Sequence, residues 1–369
     1  MGERGIGRLA TVLLVLSACV LGGCGEGTEQ APPALPAPVA APPPVPVVTA
    51  PPPVQVAEEP PVAARSFNSK MPFGVWVVRE EGGRLEDIGR TPAAKPIAIP
   101  ACWAWGVTVG ETDMRVKVQE MAAQNIPGIR LFQAKDDDLA YLKQVPGLRV
   151  LLIDCFQGTD AGFAHLKDLQ GLQMFCLSMT PITYAHLVHL KELKGLQVLD
   201  LAGDGVTDAG IENLKNLRAL QTLKLHGTRV TDAGLAYLEE LKALQTLDLQ
   251  RTQVTDAGLV HLKEMKGLQS LNLNGTKVTD AGLVHLKDLK KLQTLDLRGT
   301  GVKDAGLAHL KGLQALRTLD LYGTQVTDAC LAHLKELKGL KGLILWRTKV
   351  TSAGVTEFRK VMPNVKVLQ

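Results

Sequence analysis

The 369-residue chain has little of several features that mark particular protein classes. Six cysteines in a chain of this length are too few for a disulfide framework. Basic residues exceed acidic ones by only four and no block of Lys or Arg occurs, so the sequence does not indicate a nucleic-acid partner. It also contains no GxSxG, HExxH, phosphate-loop or CxxC motif. We therefore expect a protein that is not an enzyme and that carries no cofactor.

What the chain does have is a repeat of 24 residues. Slid by that distance, the stretch from Leu244 to Gly267 recurs without insertion or deletion. Its first leucine falls at nine positions: Leu148, Leu172, Leu196, Leu220, Leu244, Leu268, Leu292, Leu316 and Leu340. A fixed period in the twenties with the pattern L-x-x-L-x-L is typical of a solenoid.

Within one repeat, the spacing of apolar residues predicts a strand followed by a helix. Leu247 and Leu249 alternate inward on a short strand, and Leu259, Leu262 and Met265 recur at helical spacing toward the same core. Burial of seven such side chains contributes about 14 kcal/mol. Ordering 24 residues costs more than that, at above ~1 kcal/mol each, so one repeat cannot fold alone and must stack on its neighbours.

This pattern resembles the leucine-rich repeat family. The run from Leu244 to Val254 matches the family's consensus segment, and Thr255-Asp256-Ala257-Gly258-Leu259 is similar to the T-D-x-G-L variant of bacterial GALA-type and eukaryotic cysteine-containing subfamilies. The chain departs from the family where Asn or Cys is usual, because it has Thr180, Thr228, Thr252, Thr276, Thr300, Thr324 and Thr348. The resemblance implies an α/β fold: a right-handed horseshoe solenoid with a parallel concave sheet and convex helices.

Two repeated polar positions suggest roles in this architecture. We expect the Thr column to form a ladder in which each hydroxyl donates to a backbone carbonyl and accepts from an N–H of the turn. Thr255 or Asp256 precedes an apolar run, which favours capping of a helix.

Cys330 replaces the glycine of this segment in one repeat, and we predict a buried rather than a reactive thiol.

Residues 1–24 are predicted to be a lipoprotein signal peptide. Arg4 and Arg8 precede a short apolar run, and Leu21-Gly22-Gly23-Cys24 resembles the bacterial lipobox, whose cysteine is lipidated. Cys19 is the alternative acceptor, and a plain signal peptide or an uncleaved anchor also remains open. Cys24 is favoured because polar residues follow it. The resemblance implies a membrane-anchored lipoprotein of the cell envelope, on its periplasmic or cell-surface face.

Residues 25–65 and 66–125 do not follow the repeat. Thirteen of the 21 prolines lie within 31–61, which predicts a disordered, extended linker; recognition by a proline-binding domain is the alternative. The segment 66–125 is predicted to be an N-terminal cap for the leucine-rich repeat domain, residues 126–369. A small separate domain with its own ligand is the alternative. Cys155 and Cys176 are predicted on adjacent strands but in columns three residues apart, a separation that we expect to exceed disulfide reach. Cys102, in this segment, could pair with either.

Histidines and acids invite metal-site interpretations that the pattern does not favour. Six of the eight histidines share one column of the repeat: His165, His189, His261, His285, His309 and His333. No Cys or carboxylate column accompanies them, and a lysine follows each one two residues later, so we expect no metal site. Asp136, Asp137 and Asp138 are expected to cap a helix rather than bind calcium.

The candidate binding site lies where the concave columns stop being uniform. Residues between the inward leucines point outward, and in the C-terminal third they include Arg298, Tyr322, Trp346 and Arg347, next to Asp296 and Asp320. Exposed Tyr, Trp and Arg are enriched at binding hot spots. The alternative role for Trp346 is to cap the last repeat.

These observations favour a non-enzymatic binding module for a protein or a glycan, displayed on the cell envelope. The first alternative is a structural spacer or adhesion element of the cell surface. A second is an F-box-like adaptor of ubiquitin ligation, because similar repeats occur in such receptors. That reading requires an F-box within 66–125, which the sequence does not display, and the export signal argues against it.

Overall fold

The computed structural model describes residues 65–69, 71–78, 85–93, 95–99, 104–110, 114–180, 182–203 and 205–369, all within one compact unit, Ala57–Gln369. The predicted signal peptide, Cys19, Cys24, the proline-rich segment and Cys102 lie outside the described residues. Among the described residues, no helix combines the length and the apolar character that a membrane crossing requires.

The described N-terminal part contains six strands and two helices. They are β1 (Arg65–Phe67), β2 (Gly74–Val78), β3 (Leu85–Arg90), β4 (Ile97–Ile99), β5 (Ala104–Val109), α1 (Met114–Ala123), β6 (Gly128–Phe132) and α2 (Asp136–Leu142). Strands β1 and β4 form an antiparallel pair of their own, whereas β2, β3 and β5 continue the sheet of the repeats. Trp105 and Val107 of β5 belong to the same hydrophobic core as the leucines of the repeats. Strands β5, β2 and β3 lie at the N-terminal end of the sheet, and the division into a cap region and a repeat domain stays a prediction.

Each later repeat contributes one short strand. These strands are β7 (Val150–Asp154), β8 (Met174–Ser178), β9 (Val198–Leu201), β10 (Thr222–Lys224), β11 (Thr246–Asp248), β12 (Ser270–Asn272), β13 (Thr294–Asp296), β14 (Thr318–Asp320), β15 (Gly342–Ile344) and β16 (Lys366–Leu368). From β5 to β16 every neighbouring pair is parallel and consecutive in the chain. The parallel solenoid sheet is thereby confirmed, and the antiparallel pairing of β2 with β3 and β5 is an addition that the repeat pattern did not predict.

The convex side consists of short helical turns rather than the longer helices that the spacing suggested. The α-helical segments are α3 (Asp160–Phe163), α4 (Tyr184–Val188), α5 (Asp208–Ile211), α6 (Asp232–Ala236), α7 (Asp280–Leu283), α8 (Asp304–Leu307), α9 (Cys330–Leu334) and the terminal α10 (Ser352–Val361). Several continue into a 3₁₀ turn, and in the repeat from Leu244 the whole segment Gly258–Leu262 is 3₁₀. The inward residues predicted for that repeat are nevertheless all fully buried: Leu244, Leu247, Leu249, Val254, Leu259, Leu262 and Met265.

A ladder of hydrogen bonds joins the starts of successive helical segments. The hydroxyl of Thr255 accepts from the backbone N–H of Ala257 and donates to the carboxylate of Asp232 in the preceding repeat, at 2.6 Å. The other oxygen of Asp232 accepts from the backbone N–H of Thr255 at 2.8 Å. The same Asp–Thr pairing recurs at Asp136–Thr159, Asp208–Thr231, Asp256–Thr279, Asp304–Thr327 and Asp328–Thr351. Predicted capping by Thr is confirmed, and the Asp proves to bind the next repeat.

In most repeats a glycine two residues after the Asp leaves room for this ladder. A Cβ at Gly258 would lie 2.4 Å from the carboxylate of Asp232, so a larger residue there would require the carboxylate to shift. Cys330 stands in this column and is buried, and burial raises the pKa of its thiol to about 12. The thiol is therefore protonated at neutral pH, in agreement with the prediction of an inert cysteine.

The threonine column differs from the expected ladder. Six of its hydroxyls donate at 2.6–2.7 Å to the carbonyl three residues earlier in the same repeat: Thr228, Thr252, Thr276, Thr300, Thr324 and Thr348. Among the described bonds, acceptance from a turn N–H is found at Thr180, from Phe156, and at Thr348, from Val350. The predicted donation from each hydroxyl to a backbone carbonyl is confirmed, whereas the predicted hydrogen-bond ladder between repeats is wrong. Backbone N–H groups already join the turns of neighbouring repeats by donating to carbonyls of the next repeat.

Candidate functional site

The register of the parallel strands brings the predicted site residues side by side. Asp296 pairs with Asp320, and Asp320 with Ile344, so these three form one concave column. Arg298, Tyr322 and Trp346 each follow two residues later, where Gly299 donates to the carbonyl of Tyr322 and Gly323 to that of Trp346. We call the group Asp296, Arg298, Asp320, Tyr322, Trp346 and Arg347 the C-terminal concave cluster.

The acids on the floor of this column have a structural task that the sequence did not reveal. One oxygen of each side chain accepts the backbone N–H two residues later, which ends the strand in a turn. This bond measures 2.9 Å at Asp248, 2.9 Å at Asn272, 3.0 Å at Asp296 and 2.9 Å at Asp320. The same oxygen can accept a second bond, since Oδ1 of Asp296 also accepts from Nε of Arg298 at 3.0 Å.

Arg298 uses its guanidinium mainly on its own strand. Its Nε lies 2.8 Å and its Nη2 2.6 Å from Oδ2 of Asp296, a close, charge-assisted contact. Its Nε is 3.5 Å from Oδ2 of Asp320 on the next strand, beyond a good hydrogen bond. Asp296 thus binds the Arg298 guanidinium closely, whereas Asp320 makes only a longer contact with it.

Asp320 is consequently an unusual carboxyl group. Burial, followed by the charge of the neighbouring Asp296, raises its pKa to about 7. The backbone N–H of Tyr322 and the guanidinium of Arg298 act in the opposite direction without cancelling the rise. On its other side stands Ile344, which supplies no charge. Asp320 is therefore about half ionised near neutral pH.

Tyr322 and Arg347 form a stacked pair at the rim of the cluster. The guanidinium carbon of Arg347 lies 5.5 Å from the centroid of the Tyr322 ring, within cation–π range. Arg347 has φ of 55°, the left-handed region, whereas Gly227, Gly275, Gly299 and Gly323 occupy the same column in other repeats. Arg347 is thus a residue other than glycine in a backbone conformation that disfavours a side chain.

Trp346 faces the end of the solenoid as well as the cluster. It is half-buried and lines a cavity of about 340 Å³ together with Ser352, Thr356 and Arg359 of α10 and with Gln369. Its indole N–H is enclosed and has no hydrogen-bond partner in the structure. Arg359 donates to the carbonyl of Val367, and Gln369 donates to that of Val350, so these side chains satisfy carbonyls near the last strand. The geometry is compatible with both roles foreseen for Trp346.

The centre of the concave floor holds a second charged group. Nζ of Lys224 lies 3.3 Å from Oδ2 of Asp200, whose side chain is 3 % exposed. Burial lowers the pKa of Lys224, but the neighbouring Asp200, Cys176 and Asp248 together outweigh this and leave the pKa raised. Cys176, which precedes Asp200 in this column, is a free thiol, and burial strongly raises its pKa.

A crevice near the N-terminal end escaped sequence reasoning. It encloses about 720 Å³ where β5 and β6 run toward α1 and α2, and its charged lining consists of Arg115, Lys135, Asp137 and Asp138. Asp138 stands in the column that Gly162 occupies one repeat later, and this replacement is the signal that could have drawn attention to it. Asp138 caps α2 by accepting the N–H of Lys135 at 2.8 Å, as expected for the acidic run.

The histidine column lies on the convex side, spread over separate helical segments. Nδ1 of His261 contacts a carboxylate oxygen of Glu239 in the preceding repeat at 2.6 Å. Within the described part of the chain, no group of three or more His, Cys, Asp or Glu side chains is placed to hold a metal ion.

Comparison with known proteins finds one family match and several similar solved structures. Residues 128–305 match a family model described as a leucine-rich repeat region. Among solved structures, an internalin (InlF) from Listeria monocytogenes aligns at 18 % identity with a TM-score of 0.46, covering 69 % of this chain and 93 % of that one. Internalin C2 from the same organism aligns at 25 % identity with a TM-score of 0.43, over 52 % and 84 %. No curated protein matches the chain.

The match and the geometry agree on the same residues. The matched range begins with β6, the first strand with the repeat's inward pattern, and extends into α8. It therefore falls entirely on stacked strand-and-turn units with a continuous leucine core. Residues 128–305 are therefore similar to a leucine-rich repeat region, and the described chain has the parallel α/β solenoid fold.

Proposed function

We propose that this protein is a non-enzymatic binding module that recognises a partner protein through the C-terminal concave cluster. We further propose that it is displayed on the cell envelope by a lipid on Cys24. The leucine-rich repeat fold suits protein binding, but the fold alone does not select a partner or a surface. The choice of surface rests on the side chains.

The observation that carries the proposal is the change in the concave columns at Arg298. Three repeats earlier, the corresponding positions hold His226, Gln250 and Asn274, which carry no permanent charge. From β13 onward the same column holds Arg298, Tyr322 and Trp346, joined by Arg347 at the rim. Large aromatic and guanidinium groups on one rigid sheet face provide the contacts that dominate binding energy at protein interfaces.

Envelope display is supported by the sequence before the described residues. A lipobox-like segment ending at Cys24 and a stretch with 13 prolines would tether the repeats and hold them away from a membrane. At about 3.1 Å per residue, an extended segment of this length spans on the order of 100 Å. A Cys24→Ser variant is expected to lose incorporation of radiolabelled palmitate and to leave the membrane fraction, whereas Cys19→Ser retains both. Unchanged labelling of Cys24→Ser would refute this anchor.

The binding proposal is tested by capture from envelope extract. The full-length chain, tagged within residues 31–61, is immobilised beside the triple variant Arg298→Ala, Tyr322→Ala, Trp346→Ala. The matched control is His226→Ala, Gln250→Ala, Asn274→Ala, which truncates the same column three repeats earlier.

A partner retained by the wild type and the control, and reduced at least tenfold by the triple variant, is the expected result. Retention by all three proteins would place the binding surface elsewhere, with the N-terminal crevice as the next candidate. Retention by none would favour the spacer role. Protease treatment of the extract separates a protein partner, whose capture is lost, from a glycan, whose capture persists.

A further inference from the structure

We propose that the C-terminal concave cluster accepts a Lys or Arg side chain of the partner protein, with the cation seated on the carboxylate of Asp320. This inference rests on the proposed function, because it names the chemistry that the same surface recognises. It follows from a comparison of equivalent positions in successive repeats.

The first step is the pairing already present one strand away. At Asp296 the residue two positions later is Arg298, and its guanidinium sits on Oδ2 of that carboxylate at 2.6 Å. At Asp320 the residue two positions later is Tyr322, which brings a ring and no charge. Asp320 therefore has the backbone bond that ends its strand but lacks the cation that its neighbour has.

The second step concerns the strands on either side. Asp296 adds a like charge from β13, and Arg298 reaches Asp320 only at 3.5 Å. From β15 the facing residue is Ile344, which is apolar. Two carboxylates thus share one guanidinium, and the floor keeps one uncompensated negative charge on a largely buried group.

The third step distinguishes Asp320 from the other floor acids. Burial raises the pKa of Asp248 as well, but Lys224 stands beside it on β10, and the charges of His226 and Lys224 favour its ionised form. Asp200 lies 3.3 Å from the Lys224 ammonium. Asp248 thus has a lysine and an amide, Asn272, as its neighbours in the column, whereas Asp320 has another acid, Asp296, and the apolar Ile344. A cation from the partner protein would supply Asp320 with the counter-charge that neither neighbour provides.

The fourth step is the aromatic rim. The Tyr322 ring already holds the guanidinium of Arg347 at 5.5 Å, which shows that a cation is accommodated beside it. A basic side chain that reaches Asp320 passes between this ring and Ile344, so its methylene groups gain apolar contact while its charge meets Oδ2. The site thus combines charge complementarity with a wall suited to a long basic side chain.

The test uses blocked arginine (N-acetyl-arginine methylamide) as the probe and blocked citrulline, its uncharged isostere, as the control. The full-length protein carries ¹³C at its aspartate carboxyl carbons, and Asp320 is assigned by its absence in Asp320→Asn. This variant is expected to fold, because Asn272 makes the same backbone bond in its own repeat. Asp248→Asn, the equivalent change three repeats earlier, is the matched control.

We expect arginine to lower the pKa of Asp320, measured from its carboxyl resonance, by one unit or more, and citrulline to leave it unchanged. Because Asp320 titrates at about 7, the probe should bind about fivefold to tenfold more tightly at pH 8 than at pH 6. Asp320→Asn should abolish this pH dependence, and Asp248→Asn should preserve it.

Equal responses to arginine and citrulline, or an arginine affinity that Asp320→Asn leaves unaltered, would overturn the inference. Such a result, obtained while the triple variant still loses its captured partner, would leave the proposed function standing. The two failures are therefore distinguishable.

Discussion

Asp320 and Asp328 belong to the same repeat and lie eight residues apart, yet their carboxyl groups behave in opposite ways. The backbone N–H and the hydroxyl of Thr351 lower the pKa of Asp328, which lies on the exposed side of the solenoid. Burial and the charge of Asp296 raise the pKa of Asp320 to about 7. The difference lies in the burial and the partners of each carboxyl group, not in the residue type.

The contrast separates two uses of acids in one repeat. Each ladder acid has its donors supplied by the next repeat, so its charge is fully satisfied within the chain and it stabilises the stack. On the concave floor the strand-ending bond uses one oxygen, and the remaining charge depends on neighbouring side chains that vary between repeats. Uniform columns therefore maintain the fold, and the variable column is where recognition can arise.

The largest expected effect that sharpens this comparison comes from Asp320→Asn. A carboxyl group whose pKa is raised on folding destabilises the folded state when it ionises, so stability falls as the pH rises from about 4 to about 7. Removing the charge should increase the free energy of unfolding at pH 8 by up to about 4 kcal/mol and have little effect at pH 4. Urea unfolding of both proteins at the two pH values measures this.

A reciprocal variant controls for general effects of charge on the floor. Asn272→Asp places a new acid between Asp248 and Asp296. It should be less stable than the wild type at pH 8 and close to it at pH 4. A pH-independent response of both variants would contradict the account of Asp320.

The second-largest expected effect comes from a variant that breaks the Asp–Thr hydrogen-bond ladder. Asp256→Ala removes the acceptors of the Thr279 backbone N–H and hydroxyl, which are bound at 2.7 and 2.6 Å. We expect the free energy of unfolding to fall by about 1–2 kcal/mol, the range for loss of a capping or charge-assisted hydrogen bond. Asp256→Asn, which keeps one acceptor oxygen, should lose less. Unfolding midpoints equal to that of the wild type would show that the Asp–Thr ladder does not stabilise the fold.

The smallest expected effect on stability concerns the two arginines with a left-handed backbone conformation. Arg251 and Arg347 both have φ of 55° in a column where five repeats have glycine, so replacement by glycine relieves strain in each. Only Arg347 stacks on a tyrosine ring among the described contacts. Arg347→Gly should therefore gain less stability than Arg251→Gly, by about 0.5–1 kcal/mol, the value of an exposed cation–π pair. Thermal unfolding compares them, and the gap should close when Tyr322→Leu is added to both.

Much of the fold could be predicted from the sequence because the period is constant. The inward leucines, the register and the composition of each concave column follow from a spacing of 24 residues, and the structure confirms them. The helical segments were harder to predict, since spacing of apolar residues does not separate a full α-helix from a single turn that continues as 3₁₀. The irregular N-terminal strands were only partly predictable, because no repeat constrained how β2 pairs.

The candidate site was predictable as a set of residues but not as an arrangement. The sequence by itself determined that Asp296, Arg298, Asp320, Tyr322, Trp346 and Arg347 share the C-terminal concave face, because periodicity assigns every residue to a column. Only the tertiary structure decided which carboxylate takes the guanidinium of Arg298, that the floor acids end their strands, and that Asp256 and its equivalents bind the next repeat. The physical reason is that periodicity fixes the direction of a side chain, whereas hydrogen bonds and charge pairs depend on distances of a few ångströms that stacking alone creates.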